Sequence, residues 1–197
     1  MSGVKFSGRT VCVIAGGMSV TARAVRHIAL SRMNDKCRVI AVNDAVYLAW
    51  WADWLHAGDY KWWAANIDRV QHFRGLKTTI DGVPSGWASN LTNTGRDGFD
   101  PDTGTCRNGN NSGYQAVHCA IQAGAAKIVL VGFDMCGRHW FGAHPTEPTP
   151  DYGKAMVPHF ESLLPALAER RIDVANCALG SMLKCFRIGS LEHELPI

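Results

Sequence analysis

Short apolar runs rich in β-branched residues alternate along this chain with stretches of helical periodicity, and nearly every run stops at a polar turn. Val11-Cys-Val-Ile-Ala-Gly-Gly-Met-Ser19 shows the pattern most plainly. It describes a buried parallel strand that opens through a tight turn into a helix. A chain built this way has few options. Parallel strands need crossover connections, and helices supply them, so the expected fold is α/β with a mostly parallel sheet flanked by helices.

The expected elements follow the same alternation. Residues 10–15 read as the first strand and Ser19 to Ser31 as a helix, with Ser19 or Thr21 as N-cap. Arg38–Val42 and Trp54–Ala57 read as the next two strands, with a short helix over 45–52 between them. A helix over Lys61–Arg74 and a strand at Thr78–Ile80 follow. From 81 to 111 the periodicity disappears, and Gly, Asn, Asp, Thr, Ser and Pro dominate. A loop this long in a compact domain is usually functional or partly disordered. A helix then runs from Asn110-Asn-Ser-Gly113 to Ala123 and closes at Gly124. Lys127–Val131 is a strand, 135–152 is irregular, 154–170 is a helix interrupted by Pro158 and Pro165, and Ile172–Ala175 is the last strand. With 197 residues, 47% of them hydrophobic, the chain is expected to form a single domain over 1–197.

Charge excludes little. The net charge of +3 is small and the basic residues are scattered, so no nucleic-acid footprint is evident. Seven cysteines, an odd number without a C-x-x-C pair, point to a reduced, cytoplasmic setting rather than a disulfide scaffold. No apolar run is long enough for a membrane span, and no signal peptide is evident at the N-terminus.

Polar residues collect where strands end. Gly16, Gly17 and Ser19 follow the first strand; Asn43 and Asp44 the second; Gly58 and Asp59 the third. Gly132 and Asp134 follow the Lys127 strand, and Asn176, Gly180 and Ser181 the last. In a parallel sheet these positions share one edge, where α/β proteins bind ligands. Asn and Asp suit ribose hydroxyls and base edges. Gly-rich turns and helix N-termini suit a phosphate. Asn111, Ser112 and Gly113 open a helix and extend the same site, although Ser112 acting only as an N-cap explains it equally well.

A second constellation is Asp134-Met-Cys-Gly-Arg-His-Trp-Phe-Gly-Ala-His144. His139 or His144 could serve as a general base, and Arg138 could neutralise a leaving phosphate. Asp134, His139 and His144 (or Cys136) could also ligate a metal, but no zinc-type spacing accompanies them and no metal is assigned. Trp50, Trp51, Trp54, Trp62 and Trp63 read mainly as packing, with Trp140 the better candidate for ligand contact.

The order of these motifs resembles the bacterial CMP-sialic-acid-dependent sialyltransferases and the related DUF115-type proteins common in phage and prophage genomes. The motifs are strand-Gly-Gly-x-Ser, Val-Asn-Asp, Asn-Ser-Gly before a helix, Ile-Val-Leu-Val-Gly-Phe-Asp, a Gly-x-His, and Asn-Cys-x-x-Gly-Ser-x-Leu-x-x-Phe. The resemblance spans Val11 to Phe186. It implies a single Rossmann-like domain and a nucleotide-sugar-dependent glycosyltransferase with a CMP-type donor and no obligatory cofactor. Gly16, Gly17, Ser19 and Asn43 would contact the nucleotide, as would Ser112, Gly113, Gly132, Phe133 and Asp134. Ser181 and Phe186 match the C-terminal segment, and His144 matches the histidine that deprotonates the acceptor. The family's lid is longer, and its tyrosines hold the leaving phosphate. Here nine residues separate Asp134 from His144, none of them tyrosine. Arg107, Arg138 and Tyr152 are the candidates to replace them. Two other readings stay open: a non-catalytic nucleotide binder, and a nucleotide or pyrophosphoryl-transfer enzyme. The acceptor and the oligomeric state are not set by the sequence, and a homo-oligomer is one option.

Overall fold

A computed structural model of the chain describes residues 6–137, 139–142 and 152–197. One eight-stranded sheet organises it, in the order β10-β9-β8-β1-β2-β3-β4-β5. The central strands are β1 (Thr10–Ile14), β2 (Cys37–Val42) and β8 (Lys127–Val131), with β3 (Trp54–His56) and β4 (Leu76–Thr79) beyond β2. On the other side lie β9 (Asp173–Asn176) and β10 (Arg187–Ile188), and β5 (Ser89–Asn90) forms the far edge. All pairings in this sheet are parallel; Val11 lies opposite Arg38 on one side and Ile128 on the other. The α/β expectation therefore holds.

Alternation along the strands sorts the core into two layers. Val11, Val13, Ile128 and Leu130 face one layer, which α3 (Ser112–Gln122), α5 (Val157–Glu161) and α6 (Leu164–Arg170) cover. Cys12, Ile14, Val129 and Val131 face the other, under α1 (Ala22–Met33), α2 (Tyr60–Val70) and α7 (Leu191–Glu194). Side chains of period two, buried on both faces, are what a sandwiched parallel sheet demands.

Several element boundaries differ from expectation. The 45–52 helix is instead a 3-10 turn over Asn43–Tyr47. The 81–111 segment is not free of strands: it contains β5, and β6 (Thr92–Asn93) pairs with β7 (Thr105–Cys106). The helix expected over 154–170 is three short pieces, α4 (Tyr152–Ala155), α5 and α6. Pro158 and Pro165 each stand second in a new piece, where a missing N–H costs nothing. The strand β10 and helix α7 carried no clear periodicity, being two and four residues long.

Candidate functional site

After β1 the chain runs outward through β2, β3, β4 and β5, then returns to place β8 on the other side of β1. The direction of winding reverses between β1 and β8. Crossovers diverge there and leave a crevice beyond the strands' C-terminal ends. A cavity of about 130 Å³ occupies that point. Gly16, Gly17, Asn43, Asp44, Asn111, Ser112, Gly113, Gly132, Phe133 and His139 line it, ten of the residues singled out in the sequence.

Arg138 and His144 fall outside the described residues. Asp59 stands before α2 and is not on the cavity wall. Ser19 and Asp134 face each other: the Asp134 carboxylate accepts the Ser19 backbone N–H at 3.1 Å and its hydroxyl at 2.8 Å. Thr21, not Ser19, caps α1, its hydroxyl accepting the Ala24 N–H. Ser181 is buried and donates to the Phe133 carbonyl at 2.6 Å, and Asn176 donates to the same oxygen at 3.2 Å. The fifth polar cluster thus braces the end of β8 rather than facing the cavity.

The paired glycines have a packing reason. A Cβ on Gly17 would meet the Asp134 carboxylate and the Gly132 carbonyl. A Cβ on Gly16 would stand 2.9 Å from His139 Nδ1. The Gly17 N–H donates to the Gly132 carbonyl and the Val20 N–H to the Gly17 carbonyl. With Ser19 held by Asp134, much of the donor capacity of this turn is already used within the protein. Anion-binding capacity lies instead at α3. Its first N–H groups, on Ser112 and Gly113, have no intrahelical acceptor and border the cavity. Asn111 is the N-cap, its side chain accepting the Tyr114 N–H at 3.0 Å. Ser112 is not the cap; its hydroxyl accepts the Gly58 N–H at 3.1 Å and fixes α3 to the end of β3.

Asn43 contributes an unusual group. Its backbone is left-handed, φ 50°, which asparagine tolerates better than most residues. The residue lines the cavity, and its Oδ1 is buried with no hydrogen-bond partner among the described residues. A buried acceptor left unpaired costs about 1–3 kcal/mol, so any donor that reaches this oxygen is favoured. Beside it, Asp44 accepts from the Trp62 indole at 3.2 Å.

A tight turn over His139–Gly142 lies across Gly16. The Gly16 carbonyl accepts the Trp140 N–H at 2.9 Å and contacts His139 Nδ1 at 3.2 Å. A carbonyl only accepts, so Nδ1 carries the proton of the neutral ring and Nε2 keeps its lone pair. That Nε2 lies 3.5 Å from the Tyr152 hydroxyl, and the ring stacks on Phe141 with centroids 4.8 Å apart. Burial raises the Tyr152 phenol above its ordinary value, so it stays a donor at neutral pH. Trp140 packs on the core layer under α1 and is absent from the cavity wall, whereas Trp62, Phe141 and Tyr152 line it. Sequence reasoning read Trp62 as packing and gave Phe141 no role of its own. Trp62 could have been separated from its neighbour only by helix phase, which turns Trp63 into the core and leaves Trp62 half-exposed.

Behind the wall runs a closed hydrogen-bond chain. The Trp54 indole donates to Thr78 Oγ1 at 2.7 Å, which lies 2.9 Å from His56 Nδ1. His56 Nε2 meets Gln115 Oε1 at 2.8 Å, and Gln115 Nε2 donates to the Asn108 carbonyl at 2.8 Å. Because the Gln115 oxygen only accepts, His56 must donate from Nε2 and accept the Thr78 proton at Nδ1. Burial lowers the His56 pKa to about 4, which keeps the ring neutral as this chain requires. The relay fixes the Asn108–Gly113 approach to α3.

Among the described residues no group of three or more His, Cys, Asp or Glu side chains is placed to hold a metal ion. All seven cysteines are free thiols. No described helix is long and apolar enough to cross a membrane.

No protein-family model matches the chain, and no curated protein matches it by sequence. Solved structures do match. The fold is similar to that of the MAf glycosyltransferase from Magnetospirillum magneticum AMB-1, at a TM-score of 0.62 and 13% identity, over 98% of this chain and 35% of that one. The chain therefore spans about a third of that protein. It is also similar to the sialyltransferase CST-II in complex with a trisaccharide acceptor and CMP (TM-score 0.51, 12% identity, 96% of this chain and 88% of that one). CstII from Campylobacter jejuni, in complex with the substrate analogue cytidine-5'-monophosphate, matches at a TM-score of 0.50 and 11% identity over 94% and 86% of the two chains. Sequence identities this low carry the fold alone: the chain has the α/β, Rossmann-like architecture that these glycosyltransferases share.

Proposed function

We propose that this chain is a nucleotide-sugar-dependent glycosyltransferase whose donor nucleotide sits in the switch-point cavity. The observation that carries the reading is one cavity wall shared by Asn43, whose buried Oδ1 has no partner among the described residues, and the open first turn of α3. The acceptor suits a base amino group or ribose hydroxyl, and the N–H groups of Ser112 and Gly113 suit a phosphate. A CMP-type donor is supported by the CMP in structures of like fold. Motif order supports kinship with the DUF115-type proteins of phage and prophage genomes. At about 130 Å³ the cavity is below the ~300–1,000 Å³ of sites that enclose a whole ligand. It takes one part of the donor, and the sugar projects past His139 and Tyr152.

In this reading an acceptor hydroxyl oxygen attacks the anomeric carbon. The carbon–oxygen bond to phosphate breaks, its electron pair leaves with the nucleotide, and the hydroxyl proton passes to His139 Nε2. Tyr152 and the α3 N-terminus stabilise the charge growing on the phosphate. A thermal-shift screen of nucleotides tests the binding half. A ligand at a hundred times its dissociation constant adds about 2.7 kcal/mol. For a chain of this size that raises Tm by roughly 5–10 °C. CMP should give such a shift, and Asn43→Ala should abolish most of it. No shift with any nucleotide or nucleotide sugar would remove the reading.

A further inference from the structure

A second and larger hollow lies at the opposite edge of the sheet. Its wall includes Arg32, Arg38, Trp50, Trp51, His72 and Arg74, and its volume is about 610 Å³. Arg38 is the second residue of β2, and Arg74 comes just before β4, so the hollow sits at the N-terminal ends of the strands. The switch-point cavity lies at their C-terminal ends. Nothing in the transfer reaction proposed above uses this face.

Its chemistry is basic and aromatic. The Asp53 carboxylate binds Arg32 through two contacts, 3.1 and 2.7 Å, and Asp35 holds Arg38 at 2.7 Å. Arg74 is exposed and has no ion-pair partner among the described residues. Of the three guanidiniums on the wall, Arg32 and Arg38 are thus already paired, and Arg74 is the open one. Trp50 is 74% exposed and stacks on no other ring among the described residues. An indole left that open forfeits the burial that tryptophan normally gains. Trp50 and His72 also border a neighbouring hollow of about 230 Å³, which Arg69 lines as well.

We propose that this face is a nucleotide-binding site separate from the switch-point cavity, with a base stacked on Trp50 and its phosphate on Arg74. Guanidinium forks match phosphate oxygens, and an indole accepts any base by its π-face. The hollow is concave and of ligand size, which favours a nucleotide over a flat protein contact. The same chemistry serves a free nucleotide or one unit of a single strand, and the adjoining hollow gives room for a second unit.

The test is calorimetric binding of AMP and of a twelve-nucleotide oligoadenylate to the full chain, in an Asn43→Ala background that disables the other cavity. Trp50→Ala and Arg74→Ala should each weaken binding by about tenfold or more, with melting curves unchanged, because both side chains are exposed. Affinity should also fall as salt rises. AMP binding as tightly as the oligomer identifies a free nucleotide; a much tighter oligomer identifies a strand. The proposal is overturned if neither probe binds, if both variants bind as the parent does, or if polyglutamate displaces the probes at equal charge.

Discussion

The Asp134 carboxylate, just past the end of β8, holds the backbone N–H and hydroxyl of Ser19, just past the end of β1. The two residues lock the central strands together at the switch point, and the Gly17 N–H adds a third tie through the Gly132 carbonyl at 2.9 Å. Asp134→Ala strands two part-buried donors and is expected to cost about 1–3 kcal/mol. In a thermal melt this is a fall of roughly 2–4 °C per kcal/mol. Asp134→Asn, which keeps one accepting oxygen, should lose less. Equal melting of Asp134→Ala and the parent would show that the lock contributes nothing.

Gly17→Ala attacks the same lock from the other side. The added Cβ would collide with the Asp134 carboxylate and the Gly132 carbonyl, and neither belongs to a long flexible side chain that can swing away. The expected outcome is a loss comparable to or larger than that of Asp134→Ala, read by urea denaturation. The double variant Gly17→Ala/Asp134→Ala should lose less than the sum of the two, because removing the carboxylate relieves part of the clash.

Two buried histidines set the acid limb of stability. Burial lowers the pKa of His56 and of His118 to about 4 from the ordinary 6.5. The unfolded chain then takes up protons that the folded chain refuses, so stability falls as pH drops from 6.5 towards 4, and the histidines' share of the loss levels off below that. A shift of this size corresponds to about 3 kcal/mol per histidine at the most. Urea midpoints measured from pH 7 to pH 4 should fall along this window. In His56→Gln, whose side chain stays neutral throughout, the fall should be about half as large. A flat profile in the parent would show that neither ring resists protonation.

How much of this was legible in the sequence depends on where each group's partner lies along the chain. The strands β1, β2 and β8 announced themselves because burial on both faces forces an unbroken apolar run. The edge strand β5 and the terminal β10, two residues each, have no such run, and pairing alone defines them. Strand ends located the cavity, because a parallel sheet gathers them at one edge. Local sequence could not say which of those polar residues face inward to the protein. Ser181 and Asn176 share the Phe133 carbonyl, more than forty residues away in sequence. Ser19 meets a carboxylate 115 residues downstream. Such contacts convert a residue that looks ligand-binding into one that holds the fold. Conversely, Trp62 is a wall residue only because α2 packs Trp63 inward.

Glu194 anchors the C-terminal helix to the sheet. Its side chain is 2% exposed and pairs with Arg187 at 2.6 Å and Lys127 at 2.7 Å. These bonds, led by that to Arg187, hold its carboxyl well below the usual carboxylate range. Its contribution is therefore complete above the ordinary carboxylate pKa and is lost only as pH falls through the lowered one. Arg187 is partly exposed and solvent screens the pair, so Glu194→Gln is expected to cost about 2 kcal/mol rather than the ~3–5 of a fully buried break. Denaturation at pH 7 reads the loss. Raising salt should change it little, since the carboxylate itself is buried. A variant as stable as the parent would mean that α7 is held by Leu191 and Leu195 alone.

His139 and Tyr152 give the proposed reaction its sharpest test. The Gly16 carbonyl fixes the proton on His139 Nδ1, so Nε2 is the atom free to accept one, and Tyr152 stands 3.5 Å from it. If His139 is the base, His139→Ala should lower kcat about 10²–10⁴-fold. The nucleotide-induced thermal shift should survive, because Asn43 and α3 hold the nucleotide. His139→Asn can still donate to Gly16 but cannot take up a proton, so it should bind as the parent does and turn over as poorly as the alanine variant. Tyr152→Phe removes a donor from the leaving phosphate. It should lower kcat about 10²–10³-fold with little change in nucleotide affinity. Transfer can be followed by mass spectrometry of a hydroxyl acceptor incubated with candidate donors. Full turnover by His139→Asn would assign the proton to another group, and a matching loss of binding would return His139 to a structural role over Gly16.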